Sequence, residues 1–291
     1  MKNLFCLTSL FFWFLSLSAL AFTQTCSFQT INVPGASSAE GVNDQGAVVG
    51  NFIADPGSHS ESFLLFQGNF SFFTFPGSVS TTTRDINNHS QITGSFVDNG
   101  GFEHGFMVLN GNFQQIDVPF PNNGTLGAGI NNNNPGDMVG FFRDPNTSLS
   151  VSFLRQRNGT FTKFTFPGSV TTEASGINVN SIIVGTYQVG DGRTHGFRVR
   201  NGDFLTVDFP GADDTTPRNI NDKNEIVGTY VSAGVTHGFS LDLNTNTFTS
   251  IDRPAATLTE INGVNNNDRV AGSNGGGLPV TAFQADCTAV F

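Results

Sequence analysis

The chain has 291 residues, a net charge of −10 and a sequence pI near 4.7, a balance that argues against nucleic acid or an anionic membrane as a partner. Only 12% of residues are charged, while 34 Gly and 31 Phe stand against a single Trp, a composition suited to many short strands joined by tight turns.

The first element is Lys2 followed by an apolar run from Leu4 to Ala21, closed by the small-residue exit Ala19-Leu20-Ala21. That layout predicts a secretory signal peptide over residues 1–21, with an uncleaved membrane anchor as the alternative. Residues 22–291 remain for one closed all-β domain.

Next comes a lone outer strand running from Phe28 to Pro34, and then a unit that returns along the chain. Aligned on the Asn of a Gly-Ile-Asn-like tripeptide, the copies fall at Asn43, Asn87, Asn131, Asn178, Asn221 and Asn265, with spacings of 44, 44, 47, 43 and 44 residues. A period of this length built from short strands predicts propeller blades. Each unit reads as four strands. The first ends in the tripeptide. The second carries Gly50, Gly94, Gly140, Gly185, Gly228 or Gly272, and the third Phe63, Phe106, Phe153, Phe197, Phe239 or Phe283. The fourth runs from Phe70, Phe113, Phe161, Phe204 or Phe248 to a proline six residues on, which cannot donate to a ladder and so closes an outer strand. The prediction is a single six-bladed β-propeller with repeats at about 38–76, 80–119, 125–167, 171–210, 215–254, and 258–287 completed by 26–34. Two buried Phe per blade are expected to supply much of the folding drive, at roughly 1.5–3 kcal/mol each.

The last copy has three strands and no fourth, and the chain begins with a fourth strand and no first three. Asn110 lies four residues after Phe106 and Gly111 two before Phe113; Cys287 lies four after Phe283 and Cys26 two before Phe28. The two cysteines occupy the places of a missing hairpin turn, and a Cys26–Cys287 disulfide is predicted there. Cys6 leaves with the leader, so the remaining pair is even.

The segments Gly176–Tyr187, His195-Gly196-Phe197 and Phe204–Ala212 resemble the HAF family of extracellular repeats, with its GINxxGxIVGxY, HGF and FxxxDFPGA motifs. The resemblance covers essentially all of the chain after the leader. The first and third copies depart from it, with Glu61-Ser62-Phe63 and Val151-Ser152-Phe153 in place of His-Gly-Phe. It implies a secreted all-β repeat protein and supplies no reaction and no catalytic residue.

No phosphate-binding loop, nucleophile elbow, His-Glu-x-x-His or Cys-x-x-Cys occurs, and no cofactor or metal is expected. His104, His195 and His237 repeat at one position in different blades, too far apart to share a metal, and read as structural. The Asn-rich turns lack the ordered carboxylates of a calcium loop. A variable residue stands three before each recurring Asn: Glu40, Arg84, Ala128, Ser175, Arg218 and Asn262. These are placed at the mouth of the central channel, where a ligand site framed by Glu40, Arg84, Asp85 and Arg218 is expected. The functional expectation is a secreted, monomeric, non-catalytic binding or scaffold protein recognising glycan or another extracellular polymer. The alternative is an extracellular polysaccharide hydrolase or lyase, with Glu40, Asp85 and Glu173 as the acids available.

Overall fold

A computed structural model describes residues 22–23, 25–53, 59–275 and 280–288. The signal peptide expected over residues 1–21 lies outside them. Six antiparallel sheets follow one another around a ring. Blade 1 holds Ala36–Val42, Val48–Ile53, Glu61–Phe66 and Asn69–Phe73. Blade 2 holds Ser80–Ile86, Ile92–Val97, Glu103–Leu109 and Asn112–Ile116. Blade 3 runs through Thr125–Ile130, Met138–Arg143, Ser150–Arg155 and Phe161–Phe164, and blade 4 through Thr171–Ile177, Ile183–Gln188, His195–Arg200 and Asp203–Thr206. Blade 5 comprises Asp214–Ile220, Glu225–Ser232, Val235–Asp242 and Thr247–Ile251. It gains a two-residue parallel strand, Phe22–Thr23, on its outer edge, which the repeat does not foretell. Blade 6 joins Leu258–Val264, Arg269–Gly275 and Thr281–Thr288 to the N-terminal strand Thr25–Thr30. The chain therefore closes its ring by completing the last blade with its own start.

At that seam Cys26 and Cys287 are direct cross-strand partners joined by a disulfide, 261 residues apart in sequence. In blade 2 the equivalent ladder ends at Leu109–Asn112, just before the Asn110-Gly111 turn. The bond occupies the place of that turn.

The recurring Gly and Phe form one device. Each second-strand glycine faces the third-strand phenylalanine across the ladder, as Gly50 faces Phe63 and Gly272 faces Phe283. A Cβ at Gly50 would lie 2.2 Å from the Ser38 carbonyl oxygen and 2.5 Å from the Phe63 ring, so the bare backbone makes room for the ring. All six third-strand phenylalanines are fully buried. Their fourth-strand companions are only half-buried, and Phe70 is 37% exposed, so full burial holds for one expected Phe per blade rather than two. Aromatic stacks add to the packing: Phe75 on Phe96, Phe166 on Tyr187 and Phe209 on Tyr230, each at 3.7 Å between centroids.

The recurring Asn closes the ring in hydrogen bonds. Each Nδ2 donates to the backbone carbonyl of the same Asn in the next blade, from Asn43 to Asn87, Asn131, Asn178, Asn221 and Asn265. Asn265 then donates back to Asn43 at 2.9 Å. Each Oδ1 accepts backbone N–H groups of its own turn, as Asn43 does from Ala47 and Asn265 from Asn267 and Arg269. Because these groups are buried, leaving them unpaired would cost more than the net value of one bond.

Candidate functional site

The inner strands carry one register irregularity each, at 39/41, 83/85, 127/130, 174/176, 217/219 and 261/263. The residue displaced by each bulge is the variable one: Glu40, Arg84, Ala128, Ser175, Arg218 and Asn262. A bulge re-aims its side chain, and here all six line one cavity of about 170 Å³ in the channel.

Within it, Arg84 lies 3.6 Å from Glu40, whose other oxygen accepts the Ser38 hydroxyl. Glu173 accepts from Ser150 at 2.7 Å, and Glu260, close enough to act on Arg218, accepts from Ser273 at 2.6 Å. Ser175 and Asn262 donate to the backbone of neighbouring blades, at Pro217 and Ala39. Arg218 differs from all of these. Its Nε is buried without a hydrogen-bond partner among the described residues. Burial pulls its pKa down, the carboxylates Glu40, Glu260 and Glu173 oppose that, and Arg84 adds to it.

Blade 3 supplies the apolar part of the wall with Leu126, Ala128 and Phe141. The other five blades are polar at both flanking positions. They carry Ser38, Thr82, Glu173, Thr216 and Glu260 where blade 3 has Leu126, and Asn51, Ser95, Thr186, Thr229 and Ser273 where it has Phe141.

Asp85 is not in this ring. It sits one residue deeper, buried, beside a level where Gly41, Gly129, Gly176 and Gly263 bring the inner strands together. A Cβ on Gly129 would lie 2.6 Å from the Gly176 Cα, so the strands leave no space for side chains there. Only opposing blades 2 and 5 carry side chains at this level, Asp85 and Asn219, and these two are hydrogen-bonded to each other. Asp85 also accepts the backbone N–H of Ile86 at 2.9 Å and of Ile130 at 3.0 Å. The pair forms a floor across the channel, and beyond it only about 30 Å³ of cavity remains above the Asn turns. Burial raises the Asp85 carboxyl to about 7, against the lowering effect of those hydrogen bonds. Of the four expected site residues, Glu40, Arg84 and Arg218 meet in one cavity; Asp85 closes its end.

The histidines have partners on the outer part of the blades. His104 Nδ1 lies 3.0 Å from Asp117, His195 Nδ1 2.7 Å from Asp208 and His237 Nδ1 3.1 Å from Asp252. Each ring also stacks on a second-strand aromatic, Phe96, Tyr187 or Tyr230. The sequence held a signal for this pairing. Where the His is replaced, by Glu61, Val151 or Thr281, the Asp is replaced too, by Thr74, Thr165 or Asn32. His195 is held above the usual histidine range by its bonds to Asp191 and Asp208. Among the described residues no cluster of His, Cys, Asp or Glu has the arrangement of a metal site.

No family model and no curated protein sequence matches the chain. Solved structures do. A protein assigned as TolB from Agrobacterium tumefaciens superposes with a TM-score of 0.62 at 10% identity, over 92% of this chain and 100% of that one. A lectin from Aleuria aurantia, in complex with Fucalpha1-6GlcNAc, gives 0.53 at 12% identity, over 88% and 97%. Virginiamycin B lyase from Staphylococcus aureus gives 0.50 at 11% identity, over 90% and 99%. At such identities the likeness shows the six-bladed fold. The fold hosts binding proteins and a lyase alike, so the chemistry has to be read from the channel.

Proposed function

We propose that the protein is a secreted, non-catalytic binding propeller that takes a hydroxyl-rich, uncharged ligand, a glycan, in its blind channel cavity. The observation that carries this reading is Arg218: a guanidinium enclosed in a cavity with its Nε unpaired. An unpaired buried donor costs stability, so the fold alone does not account for an arginine at this place. Two arginines and two glutamates line the cavity, with Glu260 close enough to act on Arg218, so no excess of positive charge is left there to draw an anionic ligand. Donor forks beside carboxylate oxygens suit vicinal hydroxyls, which accept from the first and donate to the second. The ligand of the lectin neighbour is a saccharide, which agrees with this choice. Secretion is supported by the disulfide, a bond that persists in oxidising compartments. No helix among the described residues is long and apolar enough to cross a membrane.

The test is a glycan array with turnover assays on every hit. Saccharide binding without product release is expected. Arg218→Met should weaken binding at least about ten-fold in a protein whose circular dichroism shows it folded, a control that is needed because the Arg218 charge also offsets Glu40, Glu260 and Glu173. Absence of any saccharide hit, or unchanged binding by Arg218→Met, would refute the reading; hydrolysis or elimination of a hit would move it to the enzymatic alternative.

A further inference from the structure

The shape of the cavity constrains how a glycan would enter it. Asp85 and Asn219 close the channel at one end, so a chain cannot thread through. The enclosed part, about 170 Å³, is close to the roughly 150 Å³ that takes a single six-membered ring such as benzene. That is room for no more than about one sugar ring.

The wall of this pocket is two-sided. Phe141 and Leu126 of blade 3 interrupt a pattern that is polar in every other blade, and they face the same space as Arg218 and Glu173. Nothing in the fold asks for this: the same strand position carries serine in blades 2 and 6, and those blades pack in the same way. A half-buried aromatic beside a guanidinium and a carboxylate matches a pyranose, which has an apolar face of C–H groups and a rim of hydroxyls.

At the Glu40–Arg84 pair the pocket meets a second, wider cavity of about 320 Å³ that reaches outward over blades 6, 1 and 2 and includes Ser38, Asn51 and Thr82. The ion pair lines both spaces and so stands where they meet.

We propose that the protein recognises chain ends: the terminal sugar unit enters the blind pocket over Phe141, with its hydroxyls on Arg218, and the next units lie in the groove past Arg84. This rests on the glycan reading above and adds to it a binding mode and a second subsite.

The experiment uses the array hits and then the tightest-binding oligosaccharide as a free mono-, di- and trisaccharide series in calorimetric titrations. Hits should share a terminal unit whatever lies behind it. Affinity should rise with the second and third units and then level off. Phe141→Ser, which installs the residue of the sibling blades, should cost at least about ten-fold for every length including the monosaccharide, and Phe141→Tyr should stay within about three-fold. Hits that share an internal unit with differing termini would overturn end recognition and leave the glycan reading standing. So would a Phe141→Ser protein that binds normally while Arg218→Met does not. If both variants bind as the parent does, both readings fail.

Discussion

Asp85→Asn should make the protein more stable in neutral and alkaline solution and change little in acid. The carboxyl is buried, and its pKa rises from an ordinary 3.8 to about 7. In the folded protein it binds its proton more tightly than in the unfolded chain. Its contribution is therefore most favourable below the unfolded value and is lost progressively as pH climbs from about 4 to about 7. At roughly 1.4 kcal/mol per pH unit, the loss comes to about 4 kcal/mol above pH 7. An asparagine has no charge to desolvate, and blade 5 already uses one at this position, where Asn219 Oδ1 accepts the N–H of Ile220. Its amide can accept only one of the two N–H groups that Asp85 now satisfies, a cost of about 1–3 kcal/mol. A protonated carboxyl carries a similar handicap, so the two proteins should be nearly equal at pH 4. By pH 8 the variant should lead by several kcal/mol at most. Glu225, also raised to about 7 by burial and by Asp268, titrates in both proteins and cancels in the difference. Urea midpoints followed by circular dichroism across pH 4 to 8 give the comparison directly. Parallel curves for the two proteins, or a parent that gains on the variant as pH rises, would refute the buried-floor reasoning.

Breaking the asparagine ring should be costly at any blade. Asn265→Ala leaves the carbonyl of Asn43 and the N–H groups of Asn267 and Arg269 without their partner, and a loss of about 2–5 kcal/mol is expected in the same denaturation assay. Reducing Cys26–Cys287 frees a loop of 261 residues and should lower the melting temperature by about 5–15 °C in calorimetry, from a chain-entropy effect of at most about 5 kcal/mol. A melting curve unmoved by reductant would show that the seam holds without its bond.

The architecture was legible because three features repeat with the blade: an Asn that bonds to its counterpart in the next blade, a Gly that yields space, and the Phe that fills it. The seam was legible because the cysteines fall on turn positions. The candidate site was half legible. The variable residues before the tripeptide line one cavity, near the ends of the inner strands rather than at their start, but spacing alone does not reveal the bulge that sends Arg84 into the cavity and its neighbour Asp85 into the floor. Phe141 and Leu126 escaped notice because an apolar residue in a strand reads as core; only comparison with the polar residues of the sibling blades sets them apart. The strand Phe22–Thr23 carries no pattern, being two residues long.

The most direct test of the account is a crystal structure of the protein with its best array glycan. Density for the sugar between Arg218 and Phe141, above the Asp85–Asn219 floor and with a hydroxyl within hydrogen-bonding distance of the guanidinium, is the predicted result. A sugar lodged between two blades on the outer rim, or at the asparagine-turn end of the channel, with Arg218 still unpaired, would contradict it.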